Sequence, residues 1–233
     1  MLLVAICVVL GDWQLGRARD KQALIDAWGR GEAARIDITA RRLHGLPRYQ
    51  SVSARGSYLA AQQILLDNMP SADGRPGYRV LTPFRRQTTP RLLLVDRGWL
   101  PLGSDRARLP PLEVGEGDRE IAGRLDRLPV PGLRLGNAAR REAELAAGWP
   151  KVLNFPTATE VAAALGAPME TEIVLLDPQA ADGYQRRWQP SLHLSPERHF
   201  AYAIQWFAFG ILAALVAVVT AVRRGRARAG TAR

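Results

Sequence analysis

The chain has 233 residues, 47% of them apolar, and its 32 basic and 22 acidic side chains leave a formal charge of +10. That is enough for one medium domain plus membrane segments. Lys21 and Lys151 are the only lysines, and the arginines are scattered instead of forming a stripe interleaved with aromatics, which argues against a nucleic-acid partner. Cys7 is the single cysteine, so an internal disulfide and any C-x-x-C site for zinc, copper, redox exchange or covalent haem attachment are excluded.

Met1 to Leu10 is an apolar run that would cover only about half a bilayer. No basic residue precedes it and no small-x-small cleavage site follows, which disfavours a signal peptide. Trp13 has the position of an interfacial anchor, with Arg17 and Arg19 beyond it in water. Residues 1–16 are therefore read as the tail of a first transmembrane helix whose start is missing, with an uncleaved short anchor as the rival.

Residues 17–198 are expected to form one extracytoplasmic domain. "RDKQALIDAWGRGEAAR" places Ala23, Ala27 and Trp28 at helical spacing and ends in Gly29 and Gly31, which predicts a helix leaving the membrane. Strand signals follow in "YQSVSARGSYL", "QQILLDN", "GYRVLTPF", "RLLLVDRGWLP", "REIAGRL" and "EIVLLD". In the fourth of these, alternation puts Leu93, Val95, Arg97 and Trp99 on one face and Leu92, Leu94 and Asp96 on the other. Most connections are too short for crossover helices, so antiparallel pairing is expected. "TATEVAAALG" predicts a short helix with Thr157 or Thr159 as N-cap, Glu160 in the first turn and Gly166 at the stop. Residues 101–118 and 129–150 are rich in Pro, Gly and charge and are expected to be surface loops, the second a candidate mobile flap. The fold class is thus α+β, an antiparallel β-rich domain between two transmembrane helices.

Phe200 to Val222 contains no charged residue and is long enough to cross a hydrocarbon core of about 30 Å. Residues 199–222 are the predicted second transmembrane helix. The tail 223–233 carries Arg223, Arg224, Arg226, Arg228 and Arg233, which by the positive-inside bias puts it in the cytoplasm. Both termini are then cytoplasmic and the middle of the chain lies outside.

Catalytic signatures do not emerge. His44 lies in a loop, and His193 and Ser195 are two apart in an extended segment, so their side chains diverge. There is no G-x-S-x-G, P-loop, G-x-G-x-x-G or H-x-x-x-H, and one Cys with three ungrouped Met makes a poor Cu(I) site. Nothing in the sequence argues for an enzyme.

His199 stands apart because of the residues that share its face. On a helix, Ala203, Trp206, Gly210 and Ala217 fall near it, flanked by Tyr202 and Ala213. Phe200, Ile204, Phe207, Ile211, Leu215 and Val218 take the opposite, bulky side, which suits lipid. Both helix ends lie at the outer membrane surface, so "GDWQLGR" and "RHFAYAIQW" should meet there. His199, Arg17, Arg198, Trp13 and Trp206 would then surround a half-membranous pocket suited to an amphipathic porphyrin, with imidazole for iron and guanidinium groups for propionates. Simple helix packing, with the imidazole at headgroup level, is the competing reading.

The stretches "GDWQLGRARDKQALI", "YQSVSARGSYL", "GYRVLTPF", "LLLVDRGWLP" and "RHFAYAIQWFAFG" together resemble the Surf1/Shy1 family of cytochrome c oxidase assembly proteins, in family order across nearly the whole chain. The resemblance implies two transmembrane helices in the bacterial inner membrane, a periplasmic domain, and a chaperone role in maturing subunit I of haem-copper oxidase together with other assembly factors. It also implies haem a as a bound cofactor, with His199 as candidate axial ligand and Trp13, Gln14, Arg17, Arg198, Tyr202 and Trp206 around it. Departures exist: many members have Asn-Asn where this chain has Glu197 and Arg198, and Asn where it has Asp96. The R-G-W triplet, Arg97, Gly98 and Trp99, reads either as a partner-docking element or as a core anchor with a glycine bulge. A protein-only scaffold for an oxidase intermediate and a membrane-tethered envelope enzyme are the alternative functions.

Overall fold

A computed structural model of the chain describes residues 2–231 apart from 32–33, 72, 104, 107, 131–137 and 190–193. It divides into two compact units, one made of Met1–Asp26 with Pro190–Arg233 and the other of Ala27–Gln189.

The second unit is built on strands β1 (Ile36–Asp37), β2 (Ser51–Tyr58), β3 (Ile64–Leu66), β4 (Gly77–Arg86), β5 (Leu92–Pro101), β6 (Arg119–Arg127), β7 (Lys151–Leu153) and β8 (Met169–Leu176). The order β2-β6-β8-β5-β4 closes on itself because Gly56, Ser57 and Tyr58 of β2 also pair with Arg86, Arg85 and Phe84 of β4. The result is a small closed barrel, which removes most free sheet edges. β1 adds to β2, and β3 followed by β7 adds to the first half of β4.

Alternation decides what fills the barrel. Val52, Ala54 and Tyr58 of β2, Ile121 and Leu125 of β6, Leu93 and Val95 of β5, Phe84 of β4 and Val174 and Leu176 of β8 form one buried cluster. Leu92 and Leu94, on the other face of β5, join Ile64, Leu81, Leu153, Ile173 and Leu175 in a second cluster. That cluster is covered by helix α3 (Ala158–Leu165) through Val161 and Leu165. β5 is buried on both faces for this reason, and it reads as a continuous apolar run. α3 has the expected capping: Thr157 is the N-cap, Glu160 closes a capping box with it, and Gly166 ends the helix at φ +64°.

Three expectations need correction. Pairing is mixed, since β1–β2, β3–β7 and β5–β8 are parallel. Short connections govern sequence neighbours, but β5 and β8 meet only after the chain has passed through β6, β7 and α3, so no local rule constrains them. Within the predicted loop 129–150, residues Ala138–Ala146 form helix α2, whose end is held by Lys151 donating through Nζ to the carbonyls of Leu145, at 2.7 Å, and Ala147. The flap reading falls largely on 131–137, outside the described residues.

The third correction concerns Trp99, which packs with Leu92 and Leu94 and not with Leu93 and Val95. Arg79 pairs with Trp99 but Leu81 pairs with Asp96, so β5 carries an extra residue there. This bulge resets the alternation. Gly98 adopts φ +116° and a Cβ on it would lie 2.8 Å from the Gln185 carbonyl, so glycine is what lets residues 184–186 run against the bulge.

The first unit contains helices α1 (Leu2–Arg30), up to Asp26, and α4 (Pro196–Thr231). Among the described residues, α4 is the one helix long and apolar enough to cross a membrane, over Pro196–Arg224. The apolar part of α1 is interrupted by Asp12, Arg17, Arg19 and Asp20.

Candidate functional site

α1 and α4 pack through small residues. Gly11, Cys7, Ala203 and Gly210 are buried, and Ala203 is fully so. A Cβ on Gly11 would sit 2.6 Å from the Phe207 ring, and one on Gly210 would sit 3.3 Å from the Cys7 Cβ. Backbones approach this closely only where side chains are minimal. Phe200, Ile204, Ile211, Leu215 and Val218 are exposed as the helical face predicts, but Phe207 is not on that side. It fills the notch left by Gly11.

His199 lies in this seam with 7% of its surface exposed. Its Nδ1 is 2.7 Å from Oε1 of Gln14, joining residues 185 apart in the chain. A carbonyl oxygen only accepts, so in this arrangement Nδ1 carries the proton and Nε2 holds the lone pair. Among the described residues no hydrogen bond reaches Nε2.

The other site residues are placed less centrally. Trp13 is 54% exposed and carries the Arg17 guanidinium 5.9 Å from its ring centroid. Arg17 also pairs with Asp20 at 3.9 Å. Arg198 is exposed, and its backbone N–H donates to Ser195 Oγ at 3.4 Å. Tyr202 is exposed, while Trp206 is half-buried and meets Phe209 edge-on at 6.1 Å. Helical spacing suggested Trp13 and Arg17 as the residues nearest the imidazole. The direct partner is Gln14, and a polar residue on an otherwise small-residue seam was the signal available for it. His44 is exposed, and His193 lies outside the described residues.

The R-G-W triplet is inside the barrel unit. Arg97 is 1% and Trp99 7% exposed. Trp99 Nε1 donates to the Met69 carbonyl at 2.7 Å. Arg97 donates to Gln63 Oε1, Thr82 Oγ1 and the carbonyls of Glu113 and Asp182. Asp96 beside them is fully buried against Arg79 and accepts the Gly98 N–H; burial pushes its carboxyl above the usual range, although Arg79 pulls the other way. These contacts tie the bulge to Met69, Glu113 and Asp182, with Arg97 and Trp99 buried among them.

Two other locations were weighed as cofactor sites. Among the described residues no three His, Cys, Asp or Glu converge on a metal position. The barrel unit has a cavity of about 390 Å³ walled by Trp28, Trp188 and Arg124, with Arg35 and Asp177 paired there at 3.7 Å. No His, Cys, Met or Tyr lines it, so it offers iron no axial side chain.

The model of the SURF1 family matches residues 1–211. SURF1-like proteins of Mycobacterium bovis and Mycobacterium tuberculosis are 28% identical over 214 residues, covering 88% of this chain and 74% of theirs. A SURF1-like protein of Monosiga brevicollis is 29% identical over 133 residues, 50% of this chain and 48% of its own. The chain belongs to the SURF1 family. That family is associated with cytochrome oxidase assembly.

Proposed function

We propose that this protein is a two-pass bacterial inner-membrane assembly factor that binds haem a through His199 and assists its delivery to subunit I of cytochrome c oxidase. The observation that carries the reading is the state of His199: Nδ1 is committed to Gln14 at the helix seam, and among the described residues no hydrogen bond reaches Nε2. A ligating histidine is held in this way, with the second nitrogen hydrogen-bonded to a neighbouring acceptor. Arg17 and Arg198 are exposed cations available to propionates, and Trp13, Tyr202 and Trp206 supply aromatic surface near the same helix ends. Haem a would supply an iron that accepts the His199 imidazole. The protein's part is to present the imidazole, hold the carboxylates and keep the ring at the membrane surface until transfer. Subunit I and other oxidase assembly factors are the proposed partners.

The test is purification in mild detergent from a host that makes haem a, followed by a visible spectrum. Wild type should carry haem. His199→Ala should insert and fold but lose it, and Phe200→Ala, on the exposed face, should bind normally. Arg17→Ala should weaken retention less, by roughly 1 to 3 kcal/mol for a charge-assisted contact. A His199→Ala protein that keeps the full spectrum and supports oxidase assembly would overturn His199 as the ligand, and a wild type that carries no haem yet supports assembly would favour the protein-only scaffold.

A further inference from the structure

Gln14 is the only side chain in the described residues that hydrogen-bonds His199, and it does so across two helices far apart in sequence. We infer that Gln14 is a positioning residue for the site: its Oε1 holds the proton on Nδ1 of His199 and so keeps Nε2 free as the coordinating nitrogen. The inference rests on the proposed haem role of His199 but concerns a property of the protein without haem.

Several observations point the same way. The imidazole is buried, so water cannot readily replace a lost partner at Nδ1. The neighbours that fix the helix spacing are Gly11, Cys7, Ala203 and Gly210, none of which offers a competing side-chain acceptor. Arg17 and Trp13 are engaged with each other, and Arg198 points its charge into an exposed position. The choice of tautomer therefore falls to one amide. In neutral imidazole the two tautomers are of similar energy, so a single buried acceptor is enough to select one. The glutamine must also present oxygen: if the amide were turned, its NH2 would donate to Nδ1, the proton would move to Nε2, and the ligating lone pair would be lost.

The test begins with the protein free of haem, labelled with ¹⁵N at histidine and held in detergent micelles. A two-bond ¹H–¹⁵N spectrum reports which ring nitrogen carries the proton, and the His199 signals are identified by their absence in His199→Ala. Wild type should show one tautomer, protonated at Nδ1. Gln14→Leu, similar in volume, should give a mixture or the Nε2–H form. Gln14→Glu keeps an acceptor in the same place and should restore Nδ1–H. With haem added, Gln14→Leu should bind about 10- to 100-fold more weakly, the usual cost of losing an outer hydrogen bond to a ligand, whereas Gln14→Glu should bind and raise the iron–imidazole stretching frequency. Wild-type protonation at Nε2, or a Gln14→Leu protein with an unchanged tautomer and unchanged haem affinity, overturns the assignment. If instead the tautomers behave as expected but no variant affects haem, Gln14 does position His199 and it is the haem reading that fails.

Discussion

Among the described residues the phenol of Tyr58 has no hydrogen-bond partner for its buried hydroxyl, and its ring centroid lies 5.7 Å from the guanidinium group of Arg97 and 5.4 Å from that of Arg119. Burial pushes its pKa up to about 12, with Arg97 pulling it down. An acid whose folded pKa is raised contributes stability that is fully present below its unfolded pKa near 10 and is lost as pH rises toward 12. Tyr58→Phe removes an unsatisfied hydroxyl and keeps the ring, so urea unfolding at pH 7 should show it equal to wild type or up to about 1 kcal/mol more stable. Between pH 10 and 12 the variant should lose less stability than wild type does. Arg97 is the opposite case. It donates to four neutral oxygens; Arg97→Met removes that donor from each, leaving Gln63 Oε1 with the Thr82 hydroxyl and the Glu113 carbonyl with the Tyr184 hydroxyl, and should cost about 3 kcal/mol in the same experiment. Its charge made partner docking a reasonable reading of the sequence. Glu113, Asp182 and Tyr184, remote in the chain, join Gln63 and Thr82 in surrounding it.

At the scale of the element, what could be read from sequence depended on whether the cause was local. The α3 helix was legible to its caps because Thr157, Glu160 and Gly166 act on their own backbone within one turn. The bulge in β5 was not, because alternation is counted along one strand and an extra residue is defined only against β4. The α1–α4 pair falls between these cases: small residues marked the contact face of α4, while the placing of Phe207 depended on the notch at Gly11. This packing makes a direct prediction. A Cβ at position 210 would lie 3.3 Å from that of Cys7, just short of the usual disulfide range of about 3.5 to 4.5 Å. Gly210→Cys should therefore cross-link to Cys7 under mild oxidation. With a protease site engineered near Gly115, the cleaved halves should stay joined on a non-reducing gel and separate on reduction. Separation without reductant would show that the helices do not pack in this register.

For the whole molecule, the proposed topology has the arginine-rich end of α4 in the cytoplasm and the barrel unit in the periplasm, since Arg223, Arg224 and Arg226 follow the apolar span directly. A reporter active only in the periplasm should be silent when fused after Arg233 and active when inserted near Gly115. The reverse pattern would put His199 at the other membrane surface and separate it from any periplasmic delivery step. By itself the sequence determined the apolar span, six of the strands of the middle region, the α3 helix with its stop at Gly166, and the family, because each depends on composition or on neighbours within a turn. Closure of the barrel, the parallel β5–β8 pair, the face of Trp99, the burial of Arg97 and the choice of Gln14 as partner to His199 were decided only in three dimensions. Each of these is a contact between residues far apart in the chain, and nothing in local propensity specifies which of several chemically suitable groups arrives at the other end.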